Sequence, residues 1–273
     1  MLHVLLEFQC GLILVYSLIQ IWKVMKKIEF DDKLNKPSLA FQPLYKQVEE
    51  HVKQLIIERR WNPGEALPNE FQLAEELGVS QGTVRKALNG LTAAKILTRQ
   101  QGVGTFVSEH NTQQSLYRFF PLIADGKHPE LPAATVVSLA IEKVSPIVLK
   151  QLGLSEKDKV IHLVRQRLLD NQVCIHESIF LPYKYFESLM NETELPHTLY
   201  HYYQQSFNLT VQKTQDSIKA VLADAETARF LDIAEGDPLL EVQRVTQTID
   251  DKIIEYRVSK CLSDKYHYFV ELS

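Results

Sequence analysis

The sequence has few cysteines and no excess of basic residues, and each of these shortages excludes some classes of function. Its three cysteines, Cys10, Cys174 and Cys261, are far apart and odd in number. They offer no metal-ligand or redox spacing and fit a reducing cytoplasm. The formal net charge is −4, which excludes a generally basic coating protein. Any nucleic-acid binding must therefore come from a local basic patch.

The sequence also lacks marks of common enzymes. It contains no HExxH motif and no paired catalytic cysteine and histidine, which two large classes of hydrolase use. No internal repeat or low-complexity segment is present, and 273 residues are enough for two domains. We therefore expect no catalytic residue and no cofactor.

Residues 67–107 predict two helices joined by a tight turn and followed by a short hairpin. Asn69 can cap the first helix. Apolar side chains recur along that helix at helical spacing, at Phe71, Leu73, Ala74 and Leu77. Gly78 suits the left-handed residue that ends a helix, and Ser80 suits the cap of the next one. Two β-rich arms then surround Gly102 and Gly104. This order of elements predicts a winged helix-turn-helix.

The second helix should bury its apolar side chains and turn its polar ones outward. Arginine and lysine reach guanine edges or phosphates, glutamine pairs with adenine, and threonine does either. Residues 77–108 include four basic residues and no acidic one, so a positive stripe should cover the helix and the wing. The residues expected to contact DNA are Gln81, Thr83, Arg85 and Lys86 on the helix and Arg99 and Gln101 on the wing. For Lys86, a merely solvated charge is an equal alternative.

This part of the chain resembles the GntR family of bacterial transcription regulators. The resemblance rests on PLYxQ at 43–47, LPxExxLAExLGVSxxTVRxAL at 67–88 and RxQGxGTFV at 99–107. It implies DNA contacts at Thr83, Arg85 and the wing glycine Gly104. The family usually has arginine where this chain has Phe71 and Gln81, so the operators of other members should not be transferred to it.

The remainder, residues 116–273, predicts a mixed α/β domain, which gives the whole chain an α+β fold class. Strands are expected near 135–144, 160–170, 173–182, 211–223, 239–249, 252–262 and 266–272, and helices near 145–154, 183–190, 196–206 and 224–233. The motifs VxRxRLLDNxxxxxExxxLP and IIEYRVSKCLSDKYHYFVEL resemble the UTRA ligand-sensing domain of the HutC subgroup of GntR regulators. That resemblance implies a fold similar to chorismate lyase.

The resemblance to UTRA domains implies an effector site formed by Arg165, Arg167, Glu177 and Glu255. Two arginines spaced by two residues on a strand point to one face, where they can bind a phosphate or carboxylate bidentately. The alternative is a structural ion-pair ladder across neighbouring strands. Many relatives have tyrosine where this chain has Cys261, so a sugar phosphate, an amino-acid derivative and another small acid all remain open as effectors.

Two other features allow alternatives. His197 and His201 are spaced to chelate a metal on one helical turn, but no third ligand is near in sequence, so a packed or surface helix is favoured and no metal site is expected. Residues 1–24 are apolar and suit a membrane span, a signal peptide or a segment upstream of a true start at Met25. We favour the start at Met25, because an exported segment conflicts with binding cytoplasmic DNA.

The sequence therefore predicts four regions: an apolar segment and flexible arm at 1–42, a winged helix-turn-helix at 43–108, a linker at 109–115 and a UTRA domain at 116–273. We interpret the protein as a cytoplasmic, homodimeric transcriptional repressor. Its expected partners are double-stranded operator DNA and a phosphorylated or carboxylated metabolite. A lyase-like enzyme and a membrane-tethered regulator are the alternatives.

Overall fold

The computed structural model describes residues 42–109, 122–128 and 130–270. The chain divides into two compact units between Ser108 and Glu109. The apolar segment at 1–24, and with it the expected start at Met25, lies outside the described residues. No helix among the described residues is long and apolar enough to cross a membrane.

Within its described residues, 42–108, the amino-terminal unit consists of three helices and a hairpin. In chain order they are α1 (Leu44–Ile57), α2 (Glu70–Leu77), α3 (Gln81–Ala93), β1 (Leu97–Gln100) and β2 (Gly104–Val107). Helix α3 packs against both α1 and α2. Its buried side chains are Val84, Ala87, Leu88 and Leu91, which are the positions expected from the helical period. The predicted winged helix-turn-helix is confirmed.

The predicted signals at the ends of α2 and α3 are confirmed by their hydrogen bonds. The Asn69 side chain accepts from the Gln72 N–H, while the Gln72 side chain accepts from the Asn69 N–H, so a capping box begins α2. Gly78 ends α2 with a φ of 64°, in the left-handed region that favours glycine. The Ser80 hydroxyl accepts from the Thr83 N–H and caps α3.

One core prediction in α2 is wrong. The helical spacing predicts Phe71 on the apolar face, yet Phe71 is 67% exposed. The buried residues of α2 are Leu73, Ala74 and Leu77. At 100° per residue, Phe71 lies roughly 110° around the helix from the centre of that buried stripe. An eight-residue helix that contacts its unit on one side leaves this position in solvent.

The carboxy-terminal unit is built on a six-stranded antiparallel sheet with the order β4-β5-β6-β9-β8-β7. Its strands are β4 (Ala133–Glu142), β5 (Val160–Leu169), β6 (Gln172–Pro182), β7 (Val211–Leu222), β8 (Pro238–Thr248) and β9 (Ile253–Leu262). A separate two-stranded sheet pairs β3 (Leu122–Ala124) with β10 (Tyr266–Tyr268). The α-helices among the described residues of this unit are α4 (Pro146–Leu152), α5 (Leu199–Ser206) and α6 (Ala225–Leu231).

Most of the predicted elements of this unit form, with two differences. Asp170 and Asn171 have φ values of 49° and 61° and turn β5 into β6, and Asp251 has a φ of 60° in the turn before β9, as the hairpin signals predict. The stretch near 183–190 forms two short 3-10 helices, Tyr183–Tyr185 and Glu187–Asn191. The last strand ends at Tyr268, before residues 269 and 270, and the rest of its predicted range lies outside the described residues.

One face of the six-stranded sheet carries polar side chains between two apolar clusters. The first cluster includes Ile161, Leu163, Ile179, Leu181 and Tyr203. The second includes Leu169, Ile175, Val242, Cys261 and Tyr266. Along β5 and β6, the residues between these two sets on the same face are Arg165, Arg167 and Glu177. The fold therefore encloses charged groups where the two apolar clusters meet.

Candidate functional site

The polar face of α3 is exposed as the sequence predicts. Gln81, Arg85 and Lys86 lie in solvent, whereas Thr83 is partly buried. The Thr83 hydroxyl is 2.9 Å from the Ser80 hydroxyl, so this side chain also supports the start of α3. The Lys86 ammonium lies 3.8 Å from the centre of the Tyr45 ring, a cation–π contact that ties α3 to α1.

The predicted wing forms beside this helix. Strand β1 pairs with β2 from Leu97 opposite Val107 to Gln100 opposite Gly104. Gln101 and Gly104 are exposed at its turn, and Gly102 has a φ of +75° that a side chain would strain. The hairpin thus presents a narrow, exposed tip and carries Arg99 on its first strand.

Glu70 joins α3 to the wing, and sequence reasoning missed it. The Arg85 Nε donates to Glu70 Oε2 over 2.8 Å, and the Arg99 Nη2 donates to Glu70 Oε1 over 2.8 Å. Two predicted DNA-contacting arginines therefore meet on one carboxylate at the first residue of α2. The only signal for Glu70 in the sequence is its place in the LPxExxLAExLGVS stretch that carries the family resemblance.

Residues 78–82 match the letters of the GxSxG nucleophile motif, which the sequence reasoning overlooked. In hydrolases that serine lies on a turn from a strand into a helix. Here Ser80 lies between two helices and its hydroxyl caps α3. The match therefore reflects a helix-turn-helix turn and not a nucleophile.

The predicted arginines and Glu177 of the carboxy-terminal unit come together. Arg165 lies opposite Glu177 in the register of β5 and β6. Its Nε and Nη2 donate to Glu177 Oε2 over 3.1 and 2.7 Å, and both side chains are at most 2% exposed. The Arg167 Nη1 donates to Glu177 Oε1 over 3.4 Å. Arg167 also donates to the carbonyl oxygens of Ala133 and Pro132 over 3.3 and 3.0 Å.

Glu255 joins the cluster through Arg257, which sequence reasoning missed. The Arg257 Nη1 donates to Glu177 over 3.0 Å, while its Nε and Nη2 donate to Glu255 over 3.1 and 2.9 Å. The hydroxyls of Tyr200 and Tyr203 on α5 donate to Glu255 over 3.0 and 2.9 Å. The i, i+3 spacing of the tyrosines and the i, i+2 spacing of Glu255 and Arg257 could have indicated them.

Burial and neighbouring charges together shift the pKa values of the groups in this cluster. Burial would raise the pKa of Glu177, but Arg165, Arg257 and Arg167 together hold it well below its ordinary value. Burial lowers the pKa of Arg167 to about 10, because it outweighs the attraction of Glu177. Burial, followed by the charge of Glu255, raises the pKa of Tyr203. Glu177 is thus an ionised acceptor, whereas Tyr203 stays a neutral donor.

A further arginine lies on the same sheet face. The Nε and Nη2 of Arg244 each donate to Asp216 over 2.6 Å, and the Tyr268 hydroxyl donates to Asp216 over 2.6 Å. Among the described residues of this face, four arginines accompany three carboxylates: Arg165, Arg167, Arg244 and Arg257 with Glu177, Glu255 and Asp216. The cluster therefore carries an excess of positive charge.

Acid is expected to destabilise the carboxy-terminal unit through Glu177. Its pKa is lowered from 4.5 in the folded chain, so its contribution to the free energy of unfolding is complete above pH 4.5 and is lost as pH falls below that value. The loss should be about 1.4 kcal/mol for each unit by which the pKa is lowered. Urea unfolding of the wild type across this range should show the decline, and Glu177→Gln should flatten it. An equal decline in both proteins would contradict this role.

The remaining candidates from the sequence take structural positions. Cys174 and Cys261 are free and buried, and burial raises the pKa of both thiols, that of Cys174 to about 12. His197 Nδ1 accepts the Ala134 N–H over 3.0 Å. Across the described ranges, no group of three or more histidine, cysteine or acidic side chains could hold a metal ion.

Comparison with known families and proteins finds a match for each of the two units. Residues 44–107 match the family described as bacterial regulatory proteins, gntR family, and residues 130–267 match the UTRA domain. The chain is 30% identical to the histidine utilization repressor of Pseudomonas putida over 216 residues, which is 75% of this chain and 82% of that protein. It is 27% identical to the mannosyl-D-glycerate transport/metabolism system repressor MngR of Escherichia coli (strain K12) over 233 residues, 84% of this chain and 96% of that protein.

A solved structure shares the fold of the carboxy-terminal unit. It is the ligand-binding domain of a regulator assigned to the GntR family from Bordetella bronchiseptica, with a TM-score of 0.52 and 24% identity over 57% of this chain and 99% of that one. The family and the relatives are regulators, so the lyase-like enzyme alternative is wrong. The chain belongs to the gntR family of bacterial regulatory proteins and is a transcriptional regulator that joins a winged helix-turn-helix to an effector-binding UTRA domain.

Proposed function

We propose that the protein is a cytoplasmic, homodimeric repressor. It dissociates from operator DNA when an acidic small molecule binds in the UTRA domain. The observation that carries this proposal is the buried cluster of Arg165, Arg167, Glu177, Glu255 and Arg257. Buried charge is costly to maintain and often marks a functional site. Two of the relatives are named repressors, which favours repression over activation.

The effector's acidic group is proposed to bind Arg165 and Arg167. The excess of arginine on this sheet face favours an anion, and the planar guanidinium matches a carboxylate or phosphate in two parallel hydrogen bonds. Glu255 already accepts hydrogen bonds from the hydroxyls of Tyr200 and Tyr203. It would also accept hydrogen bonds from hydroxyl or amino groups of the same ligand. The ligand is therefore proposed to be a small acid with polar donors.

Binding of an anion must rearrange the contacts that Arg167 makes now. This arginine holds the carbonyl oxygens of Pro132 and Ala133 as well as Glu177. Ala133 begins β4, and the chain before it leads back to the DNA-binding unit. An anion that binds Arg167 in place of these carbonyl oxygens would release the backbone at the start of β4. The coupling free energy then equals the difference in effector affinity between the two arrangements.

The alternative interpretation is that the cluster only holds neighbouring strands together as an ion-pair ladder. A thermal-shift screen against phosphorylated sugars, amino acids and small carboxylates separates the two, because a ligand that binds the folded state raises the melting temperature. A stabilising acid supports the effector site. No stabilisation by any of these compounds, with DNA binding intact, favours the ladder.

The DNA contacts are proposed to come from the exposed face of α3 and from the wing. The residues are Gln81, Thr83, Arg85 and Lys86 on α3 and Arg99, Gln101 and Gly104 on the wing. Two copies of α3 in a dimer would enter successive major grooves of a palindrome. The cation–π contact of Lys86 with Tyr45 makes a phosphate, at the edge of the groove, its most suitable target.

Dimerisation is proposed to use the UTRA unit. Its two edge strands, β4 and β7, expose apolar side chains: Val136, Val137, Ile141, Ile218 and Leu222 are 39 to 71% exposed. Exposed edge strands with apolar residues tend to pair with another chain. Sedimentation equilibrium should give twice the 31.4 kDa of one chain, whereas a monomer at micromolar concentration would reject this part of the proposal.

A further inference from the structure

Glu70 lies at the junction of the two elements proposed to contact DNA. It is the first residue of α2, and each of its carboxylate oxygens accepts one hydrogen bond from a different guanidinium group. Arg85 comes from α3 and Arg99 from β1. The side chain of Glu70 is 20% exposed, whereas those of Arg85 and Arg99 are 57% and 40% exposed. The carboxylate is thus sheltered while both arginines reach solvent.

The atoms used in these bonds leave each arginine able to bind DNA. Arg85 contacts Glu70 through Nε, so its two terminal nitrogens remain for the O6 and N7 atoms of a guanine. Arg99 contacts Glu70 through Nη2, so its Nε and Nη1 remain for a phosphate or a base edge in the groove. Holding two long side chains in place before DNA arrives reduces the entropy that binding costs.

A carboxylate at a DNA-binding surface also has a cost, because it repels phosphates whatever the base sequence. Residues 77–108, which include α3 and the wing, contain no acidic residue, and Glu70 places a negative charge against two of their four basic residues. Removing that charge should strengthen non-specific binding, which depends on phosphate neutralisation. The same change leaves the side chains of Arg85 and Arg99 without their fixed positions, which should weaken sequence-specific binding. The two effects have opposite signs.

We propose that Glu70 is a positioning residue that fixes Arg85 and Arg99 for sequence reading and limits non-specific DNA affinity. This inference rests on the proposed DNA contacts of the two arginines. A structural role is the rival, since an acidic residue in the first turn stabilises a helix through its dipole. That rival predicts a lower melting temperature and equal losses on all DNA.

The test uses the full chain and two duplexes of equal length. One is selected from a random-sequence pool by repeated binding to the protein, and the other is its scrambled version. Fluorescence anisotropy gives both affinities for the wild type, Glu70→Gln and Glu70→Ala. Glu50→Gln is the matched control, because it removes one negative charge from an exposed position of the same unit that is not paired with arginine; its weak partner is Lys53, at 4.0 Å.

We expect both Glu70 variants to lose about tenfold in affinity for the selected duplex and to gain about twofold for the scrambled one. Glu50→Gln should leave the ratio of the two affinities unchanged. In an Arg85→Ala, Arg99→Ala background, Glu70→Ala should cause no further loss on the selected duplex, because nothing is left to position.

Three results would overturn the inference in distinguishable ways. Equal gains on both duplexes would make Glu70 a mere repulsive charge. Equal losses with a lower melting temperature would assign it to the helix. If Arg85→Ala and Arg99→Ala each bind the selected duplex like the wild type, the proposed DNA contacts themselves fail, and the role of Glu70 fails with them.

Discussion

Arg165→Lys is expected to remove the effector response at effector concentrations that just saturate the wild type, and to leave operator binding within about twofold of the wild type. Lysine keeps the positive charge beside Glu177 but lacks the planar fork that Arg165 presents through Nε and Nη2. Losing one charged hydrogen bond costs about 1.5 to 3 kcal/mol, so effector affinity should fall by about one to two orders of magnitude. Titration calorimetry with the acid identified by thermal shift measures that affinity directly.

Two further variants make the result of Arg165→Lys interpretable. Arg165→Ala should lower the free energy of unfolding by about 3 to 5 kcal/mol, because it leaves a fully buried carboxylate with fewer cations. Arg244→Lys is the matched control: Arg244 is another buried arginine of the same sheet face, paired with Asp216. It should keep the effector response. If Arg165→Lys loses DNA binding together with the effector response, Arg165 supports the fold instead.

Arg85→Ala is expected to weaken operator binding by about 1 to 3 kcal/mol, the range for one arginine that reads a base pair. This corresponds to a loss of about five- to 150-fold. The substitution removes an exposed guanidinium from α3 and leaves Glu70 paired with Arg99. Anisotropy with the selected duplex at moderate salt is the measurement, and the loss should be much smaller on scrambled DNA.

Lys86→Ala provides the comparison for Arg85→Ala on the same helix. Its ammonium lies over the Tyr45 ring, so at most it contacts a phosphate, and its loss should weaken selected and scrambled DNA about equally. Operator binding that is unchanged in Arg85→Ala would reject a base-reading role for Arg85. Equal losses on both duplexes would make Arg85 a phosphate contact.

Local signals explain why so much of the fold could be predicted. Asn69, Gly78 and Ser80 each act through hydrogen bonds or backbone angles within a few residues, and all three behave as expected. The hairpin at Asp170 and Asn171 is equally local. Short-range interactions of this kind can be predicted from a single sequence because they need no distant partner.

Contacts between distant residues explain what could not be predicted. Tyr200 and Tyr203 reach Glu255 across more than 50 residues, and only the packing of α5 on the sheet brings them there. Arg257 joins Glu177 to Glu255 because β6 pairs with β9 in a register that sets Glu177 opposite Ser259, two residues from Arg257. Glu70 meets Arg99 over a separation of 29 residues. The period of α2 alone could not show that Phe71 lies on the exposed side of the helix.

The most direct test combines effector binding with DNA release. The full chain is bound to the selected duplex, and each acid that raises its melting temperature is titrated against the complex. We predict that such an acid releases the DNA from the wild type and from Arg244→Lys but not from Arg165→Lys. Release from Arg165→Lys at the same acid concentration would contradict the proposed effector site, and stabilisation of the wild type without release would contradict its coupling to the operator.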